Sequence, residues 1–198
     1  NNIEFYLQDG KLDIPTCTAT IANSTFDNFT SWTDNSETGA SAAATGGYLA
    51  LTSDGAATAK ARTTFTINEA SSLHVLAFDV INGPINIRVG SAAGGEQFMT
   101  YQELRTGHHR LEFTPSSGTG HIEFWHRGDS IKRVDNVYFL PGTAFVMPTP
   151  WEEEHLRRVF TAQDGDRLFM FARDHAQRVL ERRGHHSWSL IYYEPNDG

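Results

Sequence analysis

The chain has 198 residues, 39% hydrophobic and 12% aromatic, which suits one large domain, or one domain with an appendage, around a packed core. Its formal net charge is −8 and its basic residues form no run, which argues against specific or non-specific binding to nucleic acid. A lone Cys17 excludes an internal disulfide framework and a cysteine-based metal site, and no apolar run reaches the length of a membrane span.

In chain order, Ile3 to Leu7 alternates as a strand, Asp9-Gly10 is a turn signal, and Lys11 to Ile14 returns, so residues 1–15 read as a hairpin. Residues 16–141 are expected to be all-β. The short stretch Asn23-Ser24-Thr25-Phe26-Asp27, followed by Trp32, and the stretch Val134-Asp135-Asn136-Val137-Tyr138-Phe139 read as the first and last strands of one sandwich. Thr38 to Gly47 reads as a loop, because it is rich in Ala, Thr and Gly. Between the two end stretches lie further strand signals: Tyr48 to Leu51, Ala59 to Ile67, Leu73 to Val80, Ile85 to Val89, Leu111 to Phe113 and Ile122 to Trp125. Period-2 alternation in most of them places one face in a core and the other outside it. Short strands separated by turn clusters point to a jelly-roll β-sandwich.

Residues 142–150 read as a linker stiffened by Pro148 and Pro150. Residues 151–198 carry 7 of the 16 basic residues, and read as a small β unit. Trp151 to Glu154 is expected to start a short helix, Leu156 to Ala162 fits helix or strand, and Asp164-Gly165-Asp166 is a hairpin-type turn. Strands are expected at Arg167–Arg173, Arg178–Arg182 and Trp188–Tyr193. The turn favours a strand on both sides, which makes four short strands with 156–162, too few to bury a core alone, so this unit should pack on neighbouring material. The fold class expected is therefore all-β: a jelly-roll sandwich flanked by short strands of a second, incomplete β domain. The chain opens on Asn1 rather than Met, shows no signal peptide, and stops in the turn-like Glu194-Pro195-Asn196-Asp197-Gly198. The expectation is a segment of a longer polypeptide.

Three constellations could carry chemistry. Asp27 and Asp135 are candidate oxygen ligands for Ca²⁺ if the two end stretches meet, with carbonyls near Gly46-Gly47 adding to them. The alternative is that both are turn or edge carboxylates bonded to backbone N–H groups. Arg88, His121, Glu123 and Trp125, with Asn86, share the non-core parity of their strands. An aromatic platform with planar polar side chains suits a sugar, and the same face suits packing against another domain or subunit. Catalysis is not expected: no nucleophile elbow, zinc-binding helix motif or phosphate loop is present, and the pairs His108-His109 and His185-His186 point to opposite faces of a strand. Arg and aromatic residues also crowd 151–198, but nine acidic residues share the segment, which favours a protein interface over nucleic acid.

Two resemblances follow from these motifs. Residues 17–140, through Asn23-Ser24-Thr25-Phe26-Asp27, Trp32, Gly46-Gly47-Tyr48-Leu49-Ala50-Leu51 and Val134-Asp135-Asn136-Val137, resemble galactose-binding-like jelly rolls of the family 4 and 9 carbohydrate-binding module type. That resemblance implies a structural Ca²⁺ held by Asp27, Asp135 and backbone groups near the Gly-Tyr-Leu strand. Here Ser24 stands where that family usually has Gly, and Asp27 where it commonly has Glu. The flanks are similar to segments of tailed-bacteriophage virion proteins of the tail-nozzle and packaged-DNA-stabilisation type. The carrying pieces are Ile3-Glu4-Phe5-Tyr6, Gln163-Asp164-Gly165-Asp166, Leu168-Phe169-Met170-Phe171, Leu180-Glu181-Arg182-Arg183-Gly184 and Ser187-Trp188-Ser189-Leu190. This second resemblance implies a structural component of a virion tail, flanks contacting other virion subunits in a homo-oligomeric ring, and a decorating jelly roll. The other reading is a carbohydrate-binding module that adheres to host or substrate glycans. Neither reading makes it an enzyme or places it in a membrane.

Overall fold

The computed structural model describes residues 1–7, 10–116, 118–142 and 144–194. Asp9 of the expected first turn and residues 195–198 of the expected last one lie outside them. In chain order the elements are β1 (Asn2–Glu4), β2 (Tyr6–Leu7), β3 (Gly10–Lys11), β4 (Trp32–Asp34), β5 (Ser41–Thr45), β6 (Tyr48–Asp54), β7 (Ala59–Ile67), β8 (His74–Asn82) and β9 (Ile85–Gly90). They continue with β10 (Met99–Leu104), β11 (Gly107–Phe113), β12 (Gly118–His126), β13 (Asp129–Phe139), β14 (Val146–Pro148), a 3-10 helix (Glu153–Arg158), β15 (Val159–Asp164), β16 (Arg167–Ala172), β17 (Arg178–Arg182) and β18 (Trp188–Tyr192).

Two antiparallel sheets face each other. The five-stranded sheet has the order β10-β9-β12-β7-β4, and the nine-stranded sheet the order β15-β16-β17-β18-β11-β8-β13-β6-β5. Alternation decides what lies between them. On β7 the residues Ala59, Ala61, Thr63, Phe65 and Ile67 point inward, and on β12 Ile122 and Phe124 do. They meet Leu49, Leu51, Leu76, Phe78, Leu111 and Val137 of the opposite sheet in one core. The single polar group in the inward row of β7, the Thr63 hydroxyl, donates to the Ser31 carbonyl at 2.8 Å, so its burial leaves no orphan. Phe26 and Trp32 close one end of the core, with ring centroids 5.0 Å apart.

The first half of β8, to Phe78, is buried on both faces because both are covered. Its outward residues Val75 and Ala77 pack against Leu12, Ile14, Leu140 and Phe145, with Phe5 and Trp188 at the margin. The N-terminal strands and the segment after β13 thus form a third layer on the nine-stranded sheet. β1 pairs with β14 from Asn2↔Pro148 to Glu4↔Val146. Part of the segment 142–150, expected to be linker, is therefore strand. Pro148 is tolerated at the end of this two-stranded edge because its missing N–H is not needed there.

The C-terminal strands continue the sandwich. β18 pairs with β11 from Gly107↔Ile191 to Arg110↔Trp188, so β15 to β18 extend the nine-stranded sheet beyond the jelly roll. The expected boundary at 141/142 is crossed by a continuous hydrogen-bonded ladder. Met147, Trp151, Leu180 and Leu190 bury one face of this extension. The ambiguous stretch 156–162 resolves into the end of the 3-10 helix and the start of β15.

Two local expectations differ from the structure. Residues 23–27 are a turn rather than a strand: Asn23 and Phe26 adopt left-handed φ of 50° and 53°. Phe26 holds that strained conformation because its ring is buried in the core. The stretch read as a loop contains β5, which pairs with β6 from Ser41↔Thr52 to Thr45↔Tyr48. Its small residues have weak strand preference, but an edge strand follows the register of its neighbour and of the buried Ala42. Gly46 and Gly47, both left-handed, make the two-residue turn between β5 and β6.

Candidate functional site

The outer face of the five-stranded sheet carries the main site. β12 is central, and its outward residues are His121, Glu123 and Trp125. The ladder places Glu123 directly opposite Arg62 on β7 and opposite Arg88 on β9. Both guanidinium groups grip it. Arg62 donates from Nε and Nη2 to Glu123 Oε2 at 3.0 and 2.8 Å. Arg88 donates from Nε to Oε1 at 3.0 Å and from Nη2 to the same oxygen. The Glu123 side chain is 2% exposed and those of the arginines about a quarter exposed. Glu123 therefore lies beneath the surface as the anchor of two arginines, rather than at the surface itself. With both oxygens committed to guanidinium donors, it is poorly placed to hand a proton to a substrate.

Arg88 also approaches Glu96 at 3.5 Å and lies over the Trp125 ring at 4.9 Å from its centroid. Tyr101 on β10, 59% exposed, sets its ring 5.8 Å from that of Trp125, tilted by 59°. Trp125 and Tyr101 thus form an aromatic ledge whose far side is fixed by a guanidinium. On the other side of Glu123, a shallow cavity of about 190 Å³ is lined by Ser31, Thr33, Asn35, Arg62, Thr63, Thr64 and His121. Two atoms of its lining residues, Asn35 Oδ1 and His121 Nδ1, are buried without a hydrogen-bond partner, so the wall of the cavity is polar.

The structure brings together all four residues expected on this face, Arg88, His121, Glu123 and Trp125, and adds Arg62, Tyr101 and Asn35. Arg62 shares the outward parity of β7 and was legible from Ala59, Ala61 and Thr63 alternating inward. Tyr101 and Asn35 carried no such signal, because β10 and the segment after β4 join the face only through tertiary pairing.

Asp27 and Asp135 lie at a second place. Val137 N–H donates to the Ser24 carbonyl at 3.0 Å, which fastens the two stretches together. The ladder pairs Asp135 with Asp79 on β8, just before a bulge containing left-handed Asn136. Burial pushes the Asp135 carboxyl above the usual range; the Asn136 N–H opposes this, and the charges of Asp79 and Asp27 add to it. The Gly46-Gly47 turn is close by register, since Val134 pairs with Leu49. Asp79 is already engaged, accepting from Asn136 Nδ2 at 2.9 Å and meeting His108 Nδ1 at 2.6 Å. Asp135 Oδ1 accepts from the Asn136 N–H at 2.7 Å, as the turn-carboxylate alternative requires. Mutually repelling carboxylates offer the hard oxygen chemistry that Ca²⁺ takes, and Asp27 and Asp135 are the residues that would hold it. Among the described residues, however, no trio of these carboxylates converges to within 4.8 Å. The backbone would have to supply the remaining ligands.

His108 and His109 point to opposite faces, as expected from adjacent strand positions. His108 meets Asp79 on the outer side, while His109 is fully buried against Phe78. A larger cavity, about 540 Å³, lies elsewhere, between the N-terminal strands and the C-terminal extension, and includes Phe5, Leu12, Arg167, Leu180 and Trp188 among its walls.

No protein-family model matches the chain, and no curated protein matches it. Solved structures similar to the chain include two carbohydrate-binding modules. One is a family 61 carbohydrate-binding module in complex with β-1,4-galactotriose, at 14% identity and a TM-score of 0.45, covering 61% of this chain and 97% of that one. The other is a family 4 carbohydrate-binding module, at 14% identity and a TM-score of 0.40, covering 61% of this chain and 99% of that one.

Proposed function

We propose that this protein is a non-catalytic glycan-binding module whose binding face is the outer surface of the five-stranded sheet. The observation that carries this reading is the ledge of Trp125 and Tyr101 set beside two arginines and a polar cavity. A sugar ring offers an apolar face to an aromatic side chain and hydroxyls at its rim. The ledge suits the first, while guanidinium N–H groups and the polar side chains lining the cavity suit the second. The two positive charges of Arg62 and Arg88 are offset by Glu123 and Glu96, so the face offers donors with little net charge. That balance favours a neutral, polyhydroxylated ligand over a polyanion.

The test is retention on a panel of immobilised glycans. The wild-type chain should be retarded by at least one neutral glycan, and Trp125→Ala should weaken binding tenfold or more, the equivalent of about 1.5–3 kcal/mol of lost apolar contact. No retention by any glycan, or equal retention by the variant, overturns the reading.

A second reading, a component of a virion tail with its flanks at subunit contacts, is favoured by one observation. The sheet extension ends on a free strand, β15, carrying Phe160 at 74% exposure, with Leu156 also exposed nearby. Exposed aromatics beside an unpaired strand edge suit a subunit contact. Sedimentation velocity tests it: a ring requires a concentration-dependent oligomer that Phe160→Glu disperses, and a monomer at high micromolar concentration refutes it.

A further inference from the structure

We propose that Cys17, Glu69 and His74 form a binding site for a divalent transition-metal ion of the zinc type. Their ligand atoms, the Cys17 Sγ, a Glu69 carboxylate oxygen and a His74 ring nitrogen, all lie within 4.8 Å of one another. Cys17 lies on the segment that enters the sandwich. Glu69 and His74 lie on either side of the turn from β7 to β8.

The decisive group is His74. It is fully buried, and its Nε2 has no hydrogen-bond partner. Its Nδ1 lies 3.0 Å from the Ser72 carbonyl oxygen. A carbonyl can only accept, so Nδ1 carries the proton, and in the neutral ring Nε2 is left with a bare lone pair. That lone pair faces Glu69 Oε2 across 3.9 Å, beyond hydrogen-bond reach. Two acceptors and a thiol therefore converge beside a fully buried imidazole. A metal-bound histidine commonly donates its other ring N–H to a backbone carbonyl, which fixes tautomer and orientation, and the Ser72 contact has that form.

The other two ligands are also held. Glu69 Oε1 accepts from the Thr18 N–H at 3.1 Å and from the Thr18 hydroxyl at 2.5 Å, and Oε2, the oxygen nearer His74, shares the same N–H at 3.2 Å. Asn68 Nδ2 supports the same hydroxyl at 3.0 Å. The imidazole is wedged between Phe113, stacked at 5.8 Å, and Phe139, edge-on at 5.7 Å. Cys17 is 9% exposed and is the only cysteine in the chain.

The His74–Glu69 separation is close to what the proposed ion needs. Tetrahedral zinc with S, N and O ligands at about 2.3, 2.05 and 2.1 Å places those atoms roughly 3.4 to 3.6 Å apart. The 3.9 Å separation needs a contraction of about half an ångström, within side-chain reach. Sulfur and imidazole nitrogen suit zinc, cobalt or copper and not the oxygen-seeking Ca²⁺ or Mg²⁺. On binding, the Cys17 thiol gives its proton to solvent and the thiolate bonds to the metal. The expectation that a lone cysteine excludes a cysteine-based metal site holds for Cys₄ and Cys₂His₂ sites but not for this mixed one, whose other ligands come from Glu69 and His74. Its consequence is structural: the ion would tie residue 17 to the turn at 69–74.

Cobalt(II) added to the full chain tests the proposal, because any thiolate-to-cobalt charge-transfer band can come only from Cys17. The expected result is that band at one equivalent, lost in Cys17→Ser and weakened at least tenfold in affinity by Glu69→Gln and by His74→Gln. Zinc should displace cobalt and, at one hundred times its Kd, raise the melting temperature by about 5 to 10 °C. The wild-type spectrum needs no variant to fold, so absence of the band overturns the proposal directly. A band unchanged in affinity by Glu69→Gln overturns it too, since the cobalt would then have other partners.

Discussion

Acid should destabilise this protein in part through a buried histidine, His109. The imidazole is fully buried between the sheets, stacked on Phe78 at 5.3 Å. Its Nε2 lies 2.8 Å from the Arg105 carbonyl, which can only accept, so Nε2 carries the proton. Its Nδ1 then accepts from the Ser189 hydroxyl at 2.8 Å. Both nitrogens are satisfied in the neutral form, and a second proton has no place to go. Burial accordingly pushes its pKa down from 6.5 to about 3; the Arg105 carbonyl opposes this, and the charges of Arg183 and His108 reinforce it. A base whose folded-state pKa is depressed binds its proton more readily when unfolded. Its contribution is therefore intact above about pH 6.5 and lost as the pH falls from there toward 3. At about 1.36 kcal/mol per unit, moving from about pH 7 to about pH 4.5 should cost on the order of 2.5 kcal/mol through this group alone. Other groups titrate over the same range, so the assay is a difference of differences. Urea unfolding at both pH values is compared for wild type and His109→Gln, which cannot titrate. The variant should lose on the order of 2.5 kcal/mol less than wild type between the two conditions. Equal losses would refute the reasoning, as would a ring proton found on Nδ1 by nitrogen NMR.

Three further outcomes follow from the geometry. If Asp27 and Asp135 hold Ca²⁺, a chelator should lower the melting temperature and Asp135→Ala should abolish that effect; a chelator without effect on the wild type rules the ion out. Gly107 joins the jelly roll to the C-terminal extension, and a Cβ there would sit 2.3 Å from the Leu190 carbonyl oxygen and 2.7 Å from the Ile191 Cα. Gly107→Ala should therefore cost about 1–3 kcal/mol, and hydrogen exchange should show β17 and β18 losing protection before β12; uniform protection would contradict it. Glu123→Gln leaves two arginines sharing one neutral amide. A fully buried ion pair would lose about 3–5 kcal/mol, but arginines a quarter exposed are rehydrated, so about 1–2 kcal/mol is expected, together with loss of glycan retention. Retention as strong as wild type's would show that the arginines need no such anchor.

Much of the sandwich was legible because alternation is a local property. Ala59 to Ile67, Ile85 to Val89 and Ile122 to Trp125 each announce an inward and an outward row, and the structure keeps that parity. The same parity placed Arg88, His121, Glu123 and Trp125 on one face before any pairing was known. What failed was local in a different way. Ser41 to Thr45 has the composition of a loop yet forms an edge strand, and Asn23 to Asp27 has a strand-like pattern yet turns, because Phe26 is drawn into the core.

The residues alone determined which side chains share a face, since that follows from the two-residue period of a strand. Only the tertiary structure decided which faces meet. Glu123 is gripped by Arg62 and Arg88, 61 and 35 positions away, and Tyr101 comes beside Trp125. Cys17 reaches His74, and β18 continues the sheet past β11. These meetings rest on backbone ladders between strands far apart in the chain. Every peptide unit offers the same donor and acceptor, so the choice of partner is written in the packing of the whole core and not in any one stretch.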